Sequence, residues 1–251
     1  VILERADDVG GTWRDNTYPG CACDVPSHLY SYSFEQNPDW STTYSGSAEI
    51  HAYIQRCAEK YGLQAHLHFG VGIAKAEFDN ARGVWHLTSE DGTRYTARAV
   101  VSAVGGLVEP STPNFAGMQD FHGEIMHTAR WDHDVSLAGR KVAIIGTGAS
   151  AVQIVPELVE TAGFVKVFQR TPGWVLPRVD PPMPAAVQRL FTKVPAAQEL
   201  ARQALYWGHE ASAAALVWNT PLSGLVARLG KAHLRRAVGD PCFPPEEASE
   251  P

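Results

Sequence analysis

The run KVAIIGTGASAVQ, residues 141–153, constrains the fold more than any other stretch of the chain. An apolar strand pattern leads directly into Gly146, Gly148 and Ala151, which take the positions of G-x-G-x-x-(G/A), and a helix pattern follows. The first glycine permits the tight turn, the second lets the backbone approach a pyrophosphate, and the small third residue lets helix pack on strand. The run therefore predicts a parallel β-α-β unit with a dinucleotide at the helix N-terminus. A purely structural glycine turn is the alternative.

The strand that follows this helix indicates which dinucleotide binds. An NAD site usually has an acid at that strand end, about 20 residues past the glycines. VKVFQRT places Arg170 and Thr171 there instead, and arginine pairs well with a 2′-phosphate. The sequence therefore favours NADP(H), with a surface arginine at a strand end as the alternative. The residues predicted to bind it are Gly146, Thr147, Gly148, Ala149, Ser150, Ala151, Gln153, Arg170 and Thr171.

A second, partial pattern of the same kind stands at the N-terminus. VILE has a strand pattern that ends in Glu4, where a second Rossmann-like unit would hold a ribose, and no glycine turn precedes it. By the usual spacing, about 30 residues of strand, turn and helix are expected before Val1. Residues 7–34 are dense in Gly, Asp and aromatic residues without periodicity, which predicts a long functional loop.

The remaining segments predict ordinary α/β elements. A helix is expected over 47–61, with Ile50, Tyr53, Ile54, Cys57 and Tyr61 on one face. Three strands separated by the NARG and EDG turns predict a β-meander, followed by a parallel strand at 99–104. Beyond Pro184 the chain is Ala-rich and predicted to be helical to about Val238. The fold class is thus α/β, with two Rossmann-like dinucleotide-binding domains, the first of them incomplete.

Composition and charge exclude several function classes. The net charge of −6 gives no reason to expect nucleic acid or an anionic membrane as a partner. No apolar run approaches the roughly 18 residues that span a bilayer, and no secretory signal or metal-spaced His/Cys set is found. Four scattered cysteines favour a reducing cytoplasm over a disulfide scaffold. A basic cluster has helical spacing and predicts a solvated helix face, with a binding patch as the alternative: Arg228, Lys231, Arg235 and Arg236.

Four runs together point to a family: GGTW (10–13), YPG-x-x-x-D (18–24), F-x-G-x-x-x-H-x-x-x-W-D (121–132) and GTGASAVQ (146–153). The combination resembles the flavin-dependent Baeyer–Villiger monooxygenases, a branch of the class B flavoprotein monooxygenases. The third run matches the fingerprint of that branch at every defined position, namely Phe121, Gly123, His127, Trp131 and Asp132. The related N- and S-oxidising flavin monooxygenases share its first part but do not usually end it in W-(P/D).

The resemblance implies FAD and NADP(H) as cofactors, and NADPH- and O2-dependent conversion of a small-molecule ketone to an ester or lactone. It divides the chain into a partial FAD-binding domain (1–110), a linker with the fingerprint (111–131), an NADP-binding domain with a helical insertion (132–240) and a disordered tail (241–251). It also implies a fragment truncated at both ends. The family's first Gly-rich turn would precede Val1, and its catalytic arginine lies in a later segment. Arg178 and Arg235 are outside that motif. Heteroatom oxidation and a non-catalytic NADP-binding remnant remain alternatives, and neither the ketone nor the oligomeric state is indicated.

The resemblance also assigns roles to single residues. Asp24, beside the isoalloxazine, is expected to position the nicotinamide and is the catalytic candidate. His127 and Trp131 are expected to couple domain motion to turnover, with plain packing as the alternative. Cys21 and Cys23 are expected to pack near the flavin, with a redox dithiol as the alternative. No metal site is expected. The residues implied for FAD are Glu4, Gly11, Thr12, Trp13, Asp24 and Tyr30.

Overall fold

The computed structural model describes residues 1–171, 178, 180–218 and 221–237. The strands are β1 (Ile2–Leu3), β2 (Leu67–His68), β3 (Ile73–Asp79), β4 (Val84–Ser89), β5 (Arg94–Ala97), β6 (Lys141–Ile145) and β7 (Phe164–Phe168). The helices are α1 (Thr12–Asp15), α2 (Ser47–Lys60), α3 (Ala149–Thr161), α4 (Ala185–Lys193), α5 (Pro195–Val217) and α6 (Pro221–Ala237). The first compact unit contains Val1–Ala22, Gly46–Arg140 and Gln153–Gly163, and the second contains Cys23–Ser45, Lys141–Val152 and the described residues after Gly163.

The first unit holds the partial N-terminal domain pattern and the meander. β1 pairs in parallel with β2, and β3, β4 and β5 form an antiparallel sheet in that order. Asp79 ends β3 and accepts hydrogen bonds from the backbone N–H groups of Ala81 (2.9 Å) and Arg82 (3.1 Å), which shapes the predicted NARG turn. The prediction of a three-stranded meander is confirmed.

Helix α2 buries one face, as its periodicity predicts. The prediction that Tyr61 lies on this face is wrong. Ile50, Tyr53 and Cys57 are buried, and Ile54 is half-buried. Tyr61 is 47% exposed. The reason is that α2 ends at Lys60 and the chain then turns through Gly62, which has a left-handed φ of 65°. Tyr61 is therefore no longer on the helical face that the spacing assumed.

The predicted strand at 99–104 is also wrong. β5 ends at Ala97, residues 99–104 have no regular structure, and Val101 is 90% exposed. A strand needs a neighbour to satisfy its backbone N–H and C=O groups. None of the described strands pairs with 99–104, and β1 pairs with β2 alone within the part of the chain that the structure describes. An apolar pattern without a partner strand does not make a sheet.

The structure contains the predicted β-α-β unit, with both of its strands in the second unit. β6 and β7 pair in parallel from Lys141↔Phe164 to Ile145↔Phe168, and α3 connects them. The predicted helical region is confirmed as far as Ala237, as the separate helices α4, α5 and α6. Val238 and the predicted disordered tail (241–251) lie outside the described residues. Among the helices that the structure describes, none has the length and apolarity needed to cross a bilayer.

The irregular stretch Cys23–Ser45 is part of this second unit and buries several of its side chains. Trp40 and Ser45 have 0% exposure. The hydroxyls of Ser27 and Ser45 lie 2.8 Å apart. Long side chains from α4 and α5 donate to its carbonyls: Gln188 to Trp40 (3.0 Å), Gln198 to Asn37 (2.8 Å) and Arg202 to His28 (2.6 Å). These bonds replace the ladder hydrogen bonds that a loop lacks.

Candidate cofactor sites

The glycine turn of the β-α-β unit has the geometry that a phosphate site needs. Gly146 has a φ of 112°, and its N–H donates to the carbonyl of Phe168 at 2.9 Å, which extends the parallel ladder by one bond. A Cβ built on Gly146 or Gly148 would meet no heavy atom within 4 Å. The backbone is therefore open to an approaching group. The first N–H groups of α3 have no intrahelical acceptor and favour an anion there. The residues Gly146–Ala151 fit the pyrophosphate of a dinucleotide.

Arg170 and Thr171 follow the neighbouring strand. Ile145 and Phe168 are opposite each other at the carboxyl ends of β6 and β7, so the residues after Phe168 continue beside the glycine turn. Arg170 and Thr171 are both exposed. An exposed guanidinium at this edge is accessible to a ligand bound across the strand ends. The assignment of Arg170 to a 2′-phosphate remains a prediction.

The GGTW run forms a tight turn in the first unit. Gly10 and Gly11 have φ of 115° and 50°, and α1 begins at Thr12. A Cβ on Gly11 would meet nothing within 4 Å, so this backbone is also open. Glu4 accepts a hydrogen bond from the N–H of Ala6 at 2.9 Å. Trp13 is half-buried. This turn and the acid before it fit the nucleotide part of FAD.

Arg14 belongs to this turn and was not among the predicted site residues. Its guanidinium donates to the carbonyl of Asp8 and to Asp15 Oδ1 (2.8 Å), and it lies 3.5 Å from Glu4 Oε1. Burial lowers the pKa of Arg14, but the hydrogen bond and charge of Asp15 outweigh burial, so its pKa lies above the usual value. Arg14 thus ties Glu4 to the glycine turn. Its position directly after GGTW was the available signal.

Asp24 and Tyr30 are in the second unit, and both are exposed. Asp24 follows Cys23, whose thiol accepts a hydrogen bond from the N–H of Val25 at 3.4 Å. Cys21 and Cys23 are buried free thiols, and burial raises the pKa of each. A redox dithiol needs an accessible thiol with a lowered pKa. The geometry therefore supports packing over the redox alternative.

The fingerprint segment has its own local structure. The ring of Phe121 covers Gly123, because a Cβ there would lie 2.5 Å from Phe121 Cζ. His127 Nδ1 accepts from the N–H of Ala129 at 3.1 Å and caps a short 3-10 turn, Thr128–Arg130. Trp131 is half-buried, while Phe121 is 60% exposed and Asp132 is exposed. The contacts of His127 are those of a structural cap, and its role in domain motion remains a prediction.

Gln153, one of the residues predicted to bind NADP(H), has a side-chain amide that is hydrogen-bonded within the first unit. Its Oε1 accepts from Tyr18 Oη (2.8 Å) and from the N–H of Ala22 (3.3 Å), and its Nε2 donates to the carbonyl of Ala22 (2.8 Å). The side-chain amide is thus engaged with the YPG run. Tyr18 was not among the predicted site residues, and no local pattern connects positions 18 and 153. No cluster of three or more candidate metal ligands occurs within the described ranges.

Comparisons with known proteins agree with these observations. The model of the flavin-binding monooxygenase-like family matches residues 1–194, and the chain belongs to that family. A Baeyer–Villiger monooxygenase of Streptomyces coelicolor is 46% identical over 97% of this chain and 47% of its own length. One of Pseudomonas aeruginosa is 43% identical over 96% of this chain and 46% of its own. The chain thus spans about half the length of these curated relatives.

Solved structures show the same likeness in three dimensions. The open crystal structure of cyclohexanone monooxygenase is 35% identical with a TM-score of 0.72, over 79% of this chain and 40% of that one. An oxidised steroid monooxygenase bound to NADP is 37% identical with a TM-score of 0.71, over 78% of this chain and 38% of that one. The fold class predicted from the sequence, an α/β fold of Rossmann type, is confirmed.

Proposed function

We propose that this chain forms the NADP(H) site and part of the FAD site of a Baeyer–Villiger monooxygenase that uses NADPH and O2 to convert a ketone to an ester or lactone. The observation that carries the proposal is the open glycine turn at Gly146 and Gly148, with Arg170 beyond the adjacent strand end. The relatives named Baeyer–Villiger monooxygenase support the reaction class. The steroid monooxygenase with bound NADP supports the nucleotide.

In this proposal, one set of residues binds NADP(H) and another set binds FAD. Backbone N–H groups of Gly146–Ala151 hold the pyrophosphate of NADP(H), and Arg170 with Thr171 holds the 2′-phosphate. Glu4 holds the adenosine ribose of FAD, and Gly11, Thr12 and Trp13 line its phosphate and ribityl region. Asp24 orients the nicotinamide, and Tyr30 borders the flavin. A bound FAD would supply the hydride acceptance and O2 activation that no side chain supplies.

Two other functions remain open, and specific observations bear on each. Oxidation of amines or sulfides uses the same cofactors, but the W-D ending at Trp131–Asp132 and the named relatives favour ketones. A non-catalytic NADP-binding role needs only the open glycine turn at Gly146 and Gly148 and the residues beside it. We place the protein in the cytoplasm, because NADPH is available there and the described cysteines are buried free thiols.

The first experiment separates these functions by cofactor retention. The purified chain is incubated with FAD, desalted and examined for visible flavin absorbance, and NADP+ binding is measured by calorimetry. Retained flavin together with ketone-stimulated NADPH oxidation supports the proposal, whereas amine- or sulfide-stimulated oxidation supports the heteroatom alternative. NADP+ binding without flavin supports the non-catalytic role. Loss of both contradicts the proposal for this chain.

The nucleotide preference has a sharper test in Arg170→Ala. Loss of a charged, bidentate contact to the 2′-phosphate should weaken NADP+ binding about 10- to 100-fold. Binding of NAD+, which lacks that phosphate, should change little. Arg140→Ala, at an exposed arginine just before β6, is the matched control and should leave both affinities unchanged. Equal loss of NADP+ and NAD+ binding in Arg170→Ala would contradict the assignment.

A further inference from the structure

Gln153 acts on the Tyr18–Ala22 segment as a neighbouring β-strand would. Its side-chain amide accepts from the N–H and donates to the carbonyl of the same residue, Ala22. This is the pair of bonds that one residue exchanges with a strand partner. On its other side, Ala22 forms an antiparallel bridge with Gly46, and the N–H of Ser47 donates to the carbonyl of Cys21 at 2.9 Å. The segment is therefore held from both sides.

The approach of α3 to this segment is close as well as hydrogen-bonded. A Cβ built on Gly20 would lie 2.5 Å from the carbonyl oxygen of Gln153 and 3.0 Å from Glu157 Cγ, so only glycine fits there. Tyr18 is 6% exposed and adds a third bond from its hydroxyl to Gln153 Oε1. The run YPGCA is therefore shaped to receive α3 at Gln153.

We propose that Gln153 is a positioning residue, whose amide fixes the Tyr18–Ala22 segment. Gln153 lies one helical turn after Ala149, the first residue of α3, on the helix that follows the glycine turn. The assignment removes Gln153 from the NADP(H) ligands, because its amide already bonds to Tyr18 and Ala22.

The buried cysteines on either side of Ala22 provide a local readout. Cys21 and Cys23 are 9% and 3% exposed, and Cys57 in α2 is 6% exposed. In Gln153→Met, which keeps the side-chain length without the amide, Cys21 and Cys23 should react with a thiol reagent about tenfold faster or more. Cys57 should keep its wild-type rate. The modified cysteines are identified by peptide mass spectrometry.

The internal control separates local release from unfolding. Unchanged rates at Cys21 and Cys23 in Gln153→Met overturn the proposal, and so does an equal rise at all three cysteines. Tyr18→Phe is a milder second variant that removes the bond from Tyr18 Oη to Gln153 Oε1 and leaves both bonds of Gln153 to Ala22. For this variant the rate of thiol modification is compared at Cys23, because the thiol of Cys21 contacts Tyr18 itself. A rise at Cys23 of about two- to fivefold is expected, and no rise contradicts the role of the Tyr18 bond.

A pH profile distinguishes hydrogen bonding by the amide from simple space filling. In Gln153→Glu, the protonated carboxyl can donate to the carbonyl of Ala22 and accept from its N–H, as the amide does. The ionised carboxylate cannot donate. Relative to wild type at each pH, protection of Cys23 should be near normal at about pH 4.5 and lost by about pH 8. A pH-independent ratio would mean that shape alone matters and would overturn the proposal.

NADP+ affinity tests the other half of the assignment. If Gln153 positions the segment and does not bind nucleotide, Gln153→Met should bind NADP+ within about twofold of wild type. A fall of tenfold or more would return Gln153 to the ligand set. The cysteine readout needs no cofactor. If wild type binds neither NADP+ nor FAD, the proposed function fails for this chain while the cysteine rates still decide the role of Gln153.

Discussion

Two stretches of this chain behave in opposite ways. Residues 17–45, the irregular segment, have no period of a helix or strand, yet some of their side chains are buried, with Trp40 at 0% and Cys23 at 3% exposure. Residues 98–107, the unpaired run, are apolar and strand-like in sequence, yet Val101 is 90% and Leu107 is 74% exposed. Apolar pattern and burial therefore do not coincide in either stretch.

The difference lies in where the backbone hydrogen bonds go. Side chains of Gln188, Gln198 and Arg202 satisfy carbonyls of the irregular segment, and Gln153 satisfies both groups of Ala22. No strand within the described ranges does the same for the unpaired run. Apolar residues contribute to stability only where the backbone between them can be buried without losing its hydrogen bonds. The irregular segment therefore has side-chain partners for its backbone that the unpaired run lacks among the described residues.

The largest expected effect is at the centre of the irregular segment. Trp40→Ala removes a fully buried indole and should lower the free energy of unfolding by about 3–5 kcal/mol. Trp207→Ala, at a tryptophan that is 65% exposed, is the control and should cost less than about 1 kcal/mol. Urea denaturation followed by circular dichroism measures both. Equal losses of unfolding free energy in the two variants would mean that burial of Trp40 contributes nothing specific to stability.

The second-largest loss of stability is expected at Gly20, which packs against the backbone of Gln153. Gly20→Ala places a Cβ 2.5 Å from the carbonyl oxygen of Gln153 at a φ of 76°, so strain and steric overlap combine to about 3 kcal/mol of lost stability. Gly92→Ala is the matched control, with a φ of 87° and nothing within 4 Å of the new Cβ. It should lose about 1 kcal/mol, from the backbone alone. If the two losses are equal in urea denaturation, close packing at Gly20 contributes nothing.

Substitution of Arg202 tests how much its hydrogen bonds to the irregular segment contribute to stability. Its Nη1 donates to the carbonyls of His28 (2.6 Å), Leu29 (3.2 Å) and Ser31 (3.3 Å). Arg202→Met keeps much of the apolar stem and leaves these carbonyls unsatisfied, which should cost about 2 kcal/mol. Arg228→Met, at an exposed position on α6, should change the unfolding free energy by less than about 0.5 kcal/mol. A similar small change in Arg202→Met would show that solvent replaces its bonds.

A smaller, pH-dependent effect is expected at His28. Burial lowers the pKa of His28, and the charge of Arg202 lowers it further. Below about pH 6.5, the unfolded chain therefore takes up a proton that the folded chain resists, so His28 reduces stability as the pH falls through this window. His28→Gln should flatten that part of the stability profile and leave the slope above about pH 7 unchanged. An unaltered slope below pH 6.5 would assign the pH dependence to other groups.

The smallest effect is expected in the unpaired run. Val101→Ser should leave the unfolding free energy within about 0.5 kcal/mol of wild type, because the side chain is 90% exposed. Leu87→Ala, at a leucine of β4 that is 9% exposed, should lose about 2–4 kcal/mol in the same experiment. A large loss in Val101→Ser would mean that the run is buried in solution.

Local sequence patterns predicted the elements well and the contacts between distant positions poorly. The β-α-β unit, the meander and the C-terminal helices each have a period or turn signal within a few residues. The strand at 99–104 failed because pairing depends on a neighbour, and Tyr61 failed because a helix end redirected the chain. The bonds of Gln153 to Tyr18 and of Arg202 to His28 join residues 135 and 174 positions apart. No periodicity encodes them, and the cofactor assignments of single residues remain predictions.

The carbonyl bonds of the irregular segment also bear on how freely its sequence can change. Every residue type presents the same carbonyl oxygen, so Gln198 and Arg202 recognise positions such as Asn37 and Leu29 without regard to their side chains. Part of the information that specifies the loop is therefore stored in α4 and α5. A library randomised at Leu29 and Asn37 should retain many folded members, whereas one randomised at Gln198 and Arg202 should retain few.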